Sequence, residues 1–222
     1  MKSNVWKVPI LLGCLMILAA ALLCVYNIRE EKNAGAAAAD TLSALRQEIP
    51  EPAGTTAVTE TVPTGEDLFA LYETTTAASE TAPPDIVINS DAYCGYLEIP
   101  VLGLELPVQS GWSYPALKKS PCCYSGSAQT NDLIICAHNY PSHFGRLGSL
   151  TTDDRILFTD TAGIIHTYAV SGTEIIDGGA VTQMFSGQSE DWDLTLYTCT
   201  LGGQSRVTVR AYRVTDDADT PD

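Results

Sequence analysis

Positive charge is scarce in this chain of 222 residues: 12 lysines and arginines stand against 27 aspartates and glutamates, a formal net charge of −15. An acidic chain repels a phosphate backbone, which excludes nucleic acid as a partner. Paired cysteines spaced for a metal are missing too. Of seven cysteines none forms a C-x-x-C pair, and Cys122 and Cys123 are adjacent, so a zinc site is not expected. Helical periodicity is scarce beyond residue 90 and no internal repeat is found, which leaves short strands as the building elements there.

One absence is local and informative. Residues 8 to 28, VPILLGCLMILAAALLCVYNI, carry no charge, and at 1.5 Å per residue such a helix is about 30 Å long, enough to cross the hydrocarbon core of a bilayer. The run is longer than a signal-peptide core and lacks an A-x-A site at its end, so a retained anchor is expected. LLGC at 11 to 14 resembles a lipoprotein box only in part, since most of the apolar run follows the cysteine. Residues 1–7 then form a short cytoplasmic tail. From 29 to 90 the chain is rich in Ala, Thr, Glu and Pro, as in EPAGTTAVTETVPTGED, with too little apolar surface to offset the entropy of ordering it. This stretch is read as a flexible, disordered stalk, with a marginal helix near DLFALYE. Residues 216–222 read as an acidic tail.

The remaining residues, 91–215, alternate β-like runs with turn clusters. Candidate strands are CGYLEI at 94 to 99, LELPVQ at 104 to 109, DLIICAH at 132 to 138, RILFT at 155 to 159, GIIHTYAVSGTEII at 163 to 176, LTLYTC at 194 to 199 and RVTVRAYRV at 206 to 214. Brief helical turns are expected in YPALKK, HFGRLGSL and AVTQMF. Seven or eight short strands point to an all-β barrel or sandwich. Five cysteines fall here, an odd number, so at least one thiol stays unpaired within a monomer.

The chemistry-bearing residues sit at strand ends. Cys199 closes LTLYTC, Arg206 opens the next strand across a Gly-containing loop, and His138 ends DLIICAH, so one rim of a sheet can gather all three. Acyl transfer by a thiol needs a thiolate, a proton donor for the leaving amine and a cationic or hydrogen-bonding group for the oxyanion. With ordinary values, only about 3% of such a thiol and about a quarter of an imidazole are charged at pH 7, so both together are charged in under about 1% of molecules. Arg210 shares Arg206's strand face but sits further from the rim. His143 follows a proline inside a loop, and His166 lies within a long strand; both are weaker candidates than His138.

TLYTC followed by RVTVRA resembles the sortase family, in which a TLxTC strand carries the nucleophile and the next strand begins with arginine. YLEIPVLGLELPVQSG, ALKKSPCCYSGSA and DLIICAHNYPSHFGRLGSL resemble that family's successive blocks in order, over about 120 residues. The resemblance implies a closed eight-stranded β-barrel with short helices, and a membrane-anchored cysteine transpeptidase. Such an enzyme cleaves an LPxTG-like sorting signal after its threonine and passes the acyl group to an amine of the cell wall. It implies Cys199 as nucleophile, His138 as general acid and base and Arg206 as the group holding the substrate carbonyl. Thr198, Ala137 and Asn139 are expected to contact substrate. No cofactor or metal is expected, a regulatory Ca²⁺ being left open. The expected partners are sorting signals of secreted proteins, a cell-wall precursor or cross-bridge amine, and the membrane. The expected location is the cell membrane, single-pass, with the catalytic part outside.

Ala137 replaces the family's usual glycine before the histidine. Neither a D-P-aromatic lid motif nor a second apolar span is present, which argues against a pilin-polymerising role. A stalked binding module or adhesin, or a cysteine endopeptidase, are the rival readings. The first predicts no coincidence of TLYTC, the His138 turn and Arg206.

Overall fold

The computed structural model describes residues 7–50, 82–185 and 192–214. Its first element is one helix, α1 (Lys7–Glu48), and the two halves behave differently. Side chains from Ile10 to Ile28 are exposed all round, and by length and composition this helix can cross a membrane. Further along, Ala34, Ala38, Leu42 and Leu45 are buried, as is Ile49 just past the helix end. Their spacing of three and four residues draws one stripe down one face.

That stripe corrects the expected stalk over residues 29–50, while its stretch from 51 to 81 lies outside the described residues. REEKNAGAAAADTLSALRQE holds no proline and is rich in strong helix formers, and it prolongs a helix whose costly first turn has already formed. Tertiary contacts then hold it in place. Leu45 and Ile49 pack with Tyr93, Ile86, Ile88 and Tyr96. Arg46 pairs with Glu98 at 3.5 Å and Glu105 at 2.9 Å and lies 4.9 Å from the centre of the Tyr96 ring. Such exposed pairs contribute about 0–1 kcal/mol each, so the apolar stripe carries most of the docking. The DLFALYE helix and the 216–222 tail lie outside the described residues.

The strands are β1 (Ile86–Ile88), β2 (Asp91–Ile99), β3 (Leu104–Gln109), β4 (Cys122–Ser125), β5 (Leu133–Cys136), β6 (Arg155–Asp160), β7 (Ile165–Asp177), β8 (Leu194–Cys199) and β9 (Ser205–Arg213). Hydrogen-bonded neighbours run β1-β2-β3-β4-β5-β8-β9-β7-β6, and β6 pairs back onto β2. Eight strands, β2 to β9, therefore close into a barrel, as expected, while β1 extends β2 in a short hairpin that carries the folded part back to residue 86. A helix α2 (Tyr114–Leu117) and short 3₁₀ turns at Leu147–Ser149 and Val181–Met184 fill the connections. At Gly95 the strands touch so closely that a Cβ would lie 2.1 Å from the Thr159 carbonyl oxygen.

Period-two alternation decides what faces inward. Leu133 and Ile135 of β5, Leu194 and Leu196 of β8, and Val209 and Ala211 of β9 belong to the barrel core. Cys136, Tyr197, Cys199 and Arg206 alternate with them and so lie on the outer face. Closure thus fixes the register of β5, β8 and β9, and that register places the site.

Candidate active site

β8 and β9 are antiparallel, and Cys199 lies directly opposite Arg206. The connecting turn is closed by Gly203 N donating to Thr200 O at 2.8 Å and Thr200 N to Ser205 O at 2.9 Å; Gly203 takes a positive φ of 71° there, which costs a glycine little. Arg206 Nη1 donates to the carbonyl oxygens of Gly203 at 2.9 Å and Ser205 at 3.1 Å. The guanidinium is thereby held at the rim beside the thiol.

On the other side β5 runs parallel to β8, with Cys136 beside Tyr197. Ala137 N donates to Tyr197 O at 3.3 Å, and Thr198 Oγ1 donates to Ala137 O at 2.8 Å. These two bonds fix the backbone one residue before His138. As a result His138, Cys199 and Arg206, expected from sequence to meet, line one cleft together with Ala137, Cys136 and Tyr197. Its outer wall is aromatic: Tyr124 packs edge-on to Tyr197 at 5.8 Å and against Trp112 at 5.7 Å, and Trp112 against Tyr114 at 6.0 Å. Sequence reasoning missed this wall. Its signal was the concentration of aromatics in GWSYP and CCYS, which has no periodicity.

Two expected substrate contacts are placed elsewhere. Thr198 is buried on the face opposite Cys199, and its hydroxyl is spent on Ala137 O; alternation along the strand turns it inward when Cys199 turns outward. Asn139 is half-buried beyond His138 and does not line the cleft. A Cβ on Gly145 would lie 3.1 Å from its Oδ1, so its amide folds back onto its own loop.

The rival residues are occupied. Arg210 is buried, pairs with Glu174 through Nε at 2.8 Å, donates Nη1 to Met184 O and Thr195 Oγ1 at 3.3 Å each, and also donates to Gln183 O. Its guanidinium lies 4.2 Å from the Trp192 ring centre. It fastens the 181–184 turn to the barrel and is absent from the cleft lining. His166 Nε2 meets Asp160 Oδ2 at 2.9 Å, and its Nδ1 contacts the Arg213 guanidinium. Burial alone would raise Asp160, but hydrogen bonds from His166, Ile164 and Ala162 hold its carboxyl below the usual range. His143 is fully buried, and neither ring nitrogen makes a hydrogen bond of ordinary geometry. Burial, with a smaller push from His138, lowers it to about 4, the Ala34 backbone offsetting only part.

His138 itself is lowered by partial burial and by the Lys118 ammonium. Its neutral form therefore predominates at pH 7, and the charged imidazole is scarcer than in free solution. Cys122 and Cys123, unexplained by sequence, point to opposite faces of β4. Cys122 is the cross-strand partner of Cys136, and burial pushes both thiols up to about 12. Cys123 turns to the core side, where its free thiol lies beside the free thiol of Cys94. No group of three or more His, Cys, Asp or Glu suited to a metal ion occurs among the described residues.

Residues 97–214 match the sortase domain family. Among solved structures the chain is similar to sortase C1 from Streptococcus agalactiae, at 26% identity and a TM-score of 0.51, with 59% of this chain and 72% of that one covered. It is also similar to sortase A from Corynebacterium diphtheriae, at 22% identity and a TM-score of 0.51, a likeness of fold, covering 59% of this chain and 65% of that one. The chain thus spans about two thirds of the length of these relatives. No curated protein matches the sequence.

Proposed function

Because the chain belongs to the sortase family and is a cysteine transpeptidase of the cell-wall sorting kind, we propose that Cys199 is its nucleophile, His138 its acid and base, and Arg206 the cation that steadies the substrate carbonyl. The observation that carries this reading is the direct pairing of Cys199 with Arg206, with His138 brought into the same cleft by β5. The Cys199 thiolate attacks a backbone carbonyl carbon, and the electron pair moves to oxygen beside the Arg206 guanidinium. Two carbonyls occupy only Nη1 of that group, leaving its other donors for the oxyanion or for the peptide next to it. As the tetrahedral species collapses, the C–N bond breaks and protonated His138 gives its proton to the leaving amine. A thioester on Cys199 remains. An incoming amine then attacks that carbonyl, its proton passes to neutral His138, and the thiolate is released.

The reading includes an LPxTG-like signal, since the wall of Trp112, Tyr114, Tyr124 and Tyr197 offers apolar surface to the leucine and proline of such a peptide. It also includes an amine of a cell-wall precursor or cross-bridge as acceptor, so that surface proteins become anchored. Residues 8–28 of α1 hold the enzyme in the membrane with the barrel outside the cell. Single-turnover acylation of the full chain by such peptides tests the roles. Cys199→Ala is expected to give no adduct and His138→Ala a loss of about 10³-fold or more, whereas an adduct that survives Cys199→Ala overturns the assignment.

A further inference from the structure

A catalytic imidazole has to be held in one plane, and in many enzymes a carboxylate or carbonyl does so through the second ring nitrogen. Here the His138 ring makes no hydrogen bond among the described residues. On the loop side its ring meets Tyr140, whose ring centre lies 5.0 Å away at an interplanar angle of 34°. Tyr140 in turn rests on His143, at 5.6 Å and 50°. The loop that carries the three rings is folded tightly on itself. The Tyr140 carbonyl accepts from both His143 N and Gly145 N at 2.9 Å, the His138 carbonyl accepts from Phe144 N at 3.2 Å, and a Cβ on Gly145 would lie 2.8 Å from Tyr140 O.

The outer side of this loop meets α1. Ser142 Oγ donates to Glu31 O at 3.4 Å, and a Cβ at Gly35 would lie 3.2 Å from Ser142 Cβ. Ala34 is buried beside it and His143 is sealed completely. Burial, and after it the charges of Glu30 and Glu31, raise the Tyr140 phenol. On the cleft side His138 faces Lys118, Cys199 and Arg206. The ring series His138, Tyr140, His143 therefore ends on a helix that leads straight out of the membrane-spanning segment. Glu31 lies three residues past Ile28, about 5 Å of helix rise.

We propose that Tyr140 is a positioning residue that fixes the plane of His138, and that α1, by backing the loop of Tyr140 and His143, forms part of the catalytic framework as well as an anchor. This rests on the reading of His138 as the acid and base. Without the stack the imidazole turns about its side-chain bonds and spends less time aligned with the leaving amine. Misalignment of that order costs about 10- to 100-fold in rate with little effect on binding.

The full chain in detergent micelles, assayed with an LPxTG-like peptide and an amine, tests this. Tyr140→Ala is expected to lower kcat about 10- to 100-fold at nearly constant KM, and Tyr140→Phe, which keeps the ring, to recover most of the rate. The chain has only three histidines, so each ring can be followed by histidine NMR as pH is varied. In the unaltered protein His143 should titrate near 4. Gly35→Leu, which crowds Ser142, should move it toward the ordinary 6.5 and lower kcat in parallel. Unchanged kcat in Tyr140→Ala overturns the positioning role. Unchanged kcat in Gly35→Leu overturns the role of the helix, whether or not His143 moves. His138→Ala separates the two levels: if it stays active, the underlying assignment fails, and if it is dead while Tyr140→Ala is normal, only the present proposal fails.

Discussion

His143 should make the fold acid-sensitive well above the range in which carboxylates titrate. Its ring is fully buried without a hydrogen bond of ordinary geometry, and burial lowers it from 6.5 to about 4. An unfolded chain takes up this proton first as pH falls. The contribution is therefore fully present above about 6.5, is lost progressively between there and about 4, and changes no further below. At about 1.36 kcal/mol per pH unit, the whole gap is worth about 3 kcal/mol, of which about 2 kcal/mol is lost between pH 7 and pH 5. That is a large part of the stability of an ordinary domain. Asp160 does not blur the measurement, because its lowered carboxyl costs stability only as pH falls below its unfolded value of 3.8. Urea unfolding followed by tryptophan fluorescence at pH 7, 6 and 5, on the full chain and on His143→Leu, isolates the effect. The unaltered protein should lose about 2 kcal/mol more than the variant across this window. Parallel pH dependences for the two proteins would refute the buried, neutral histidine.

Other perturbations separate fold from chemistry. Thr198→Val keeps the shape but removes the 2.8 Å bond to Ala137 O; a loss of about 1–2 kcal/mol is expected in urea unfolding, together with slower acylation because the backbone before His138 loosens. Arg210→Met removes the bonds to Gln183 O and Met184 O, so that the 181–184 turn keeps the bond from Thr195 Oγ1 to Met184 O, and it leaves Glu174 unpaired. It should cost about 2 kcal/mol or more and make that turn sensitive to limited proteolysis. Arg206→Ala is expected to do the reverse, changing stability by about 0.5 kcal/mol or less while single-turnover acylation falls at least about 100-fold. Equal effects of the two arginine variants on both readouts would contradict the roles given to them.

The site was legible where it followed from alternation. LTLYTC and RVTVRAYRV alternate cleanly, so the outward placement of Cys199 and Arg206 and their meeting across one turn could be read before any coordinates. The same rule, applied to Thr198, already turned it away from the cleft. Its expected contact with substrate came from its nearness to Cys199 in the chain, which in a strand means the opposite face. β4 escaped notice because CCYS is four residues long and shows no contrast between its faces. The second half of α1 was misjudged because alanine and glutamate suit both a loose tether and a helix. What decides between them is the stripe of Ala34, Ala38, Leu42, Leu45 and Ile49 meeting Tyr93 and Tyr96, a partner far away in sequence. Tyr140 was invisible for a related reason: a ring contact across a loop has no period.

In the proposed mechanism Cys199 holds an acyl group between a peptide signal and an amine. Intact-mass spectrometry of the full chain, incubated with a panel of LPxTG-like peptides and then with an amine, tests it most directly. The expected product is a thioester on Cys199 whose added mass corresponds to the peptide cut after its threonine, discharged by the amine as a new amide. An adduct mapped to Cys136 or another thiol, or acyl transfer that persists in Cys199→Ala, would contradict it.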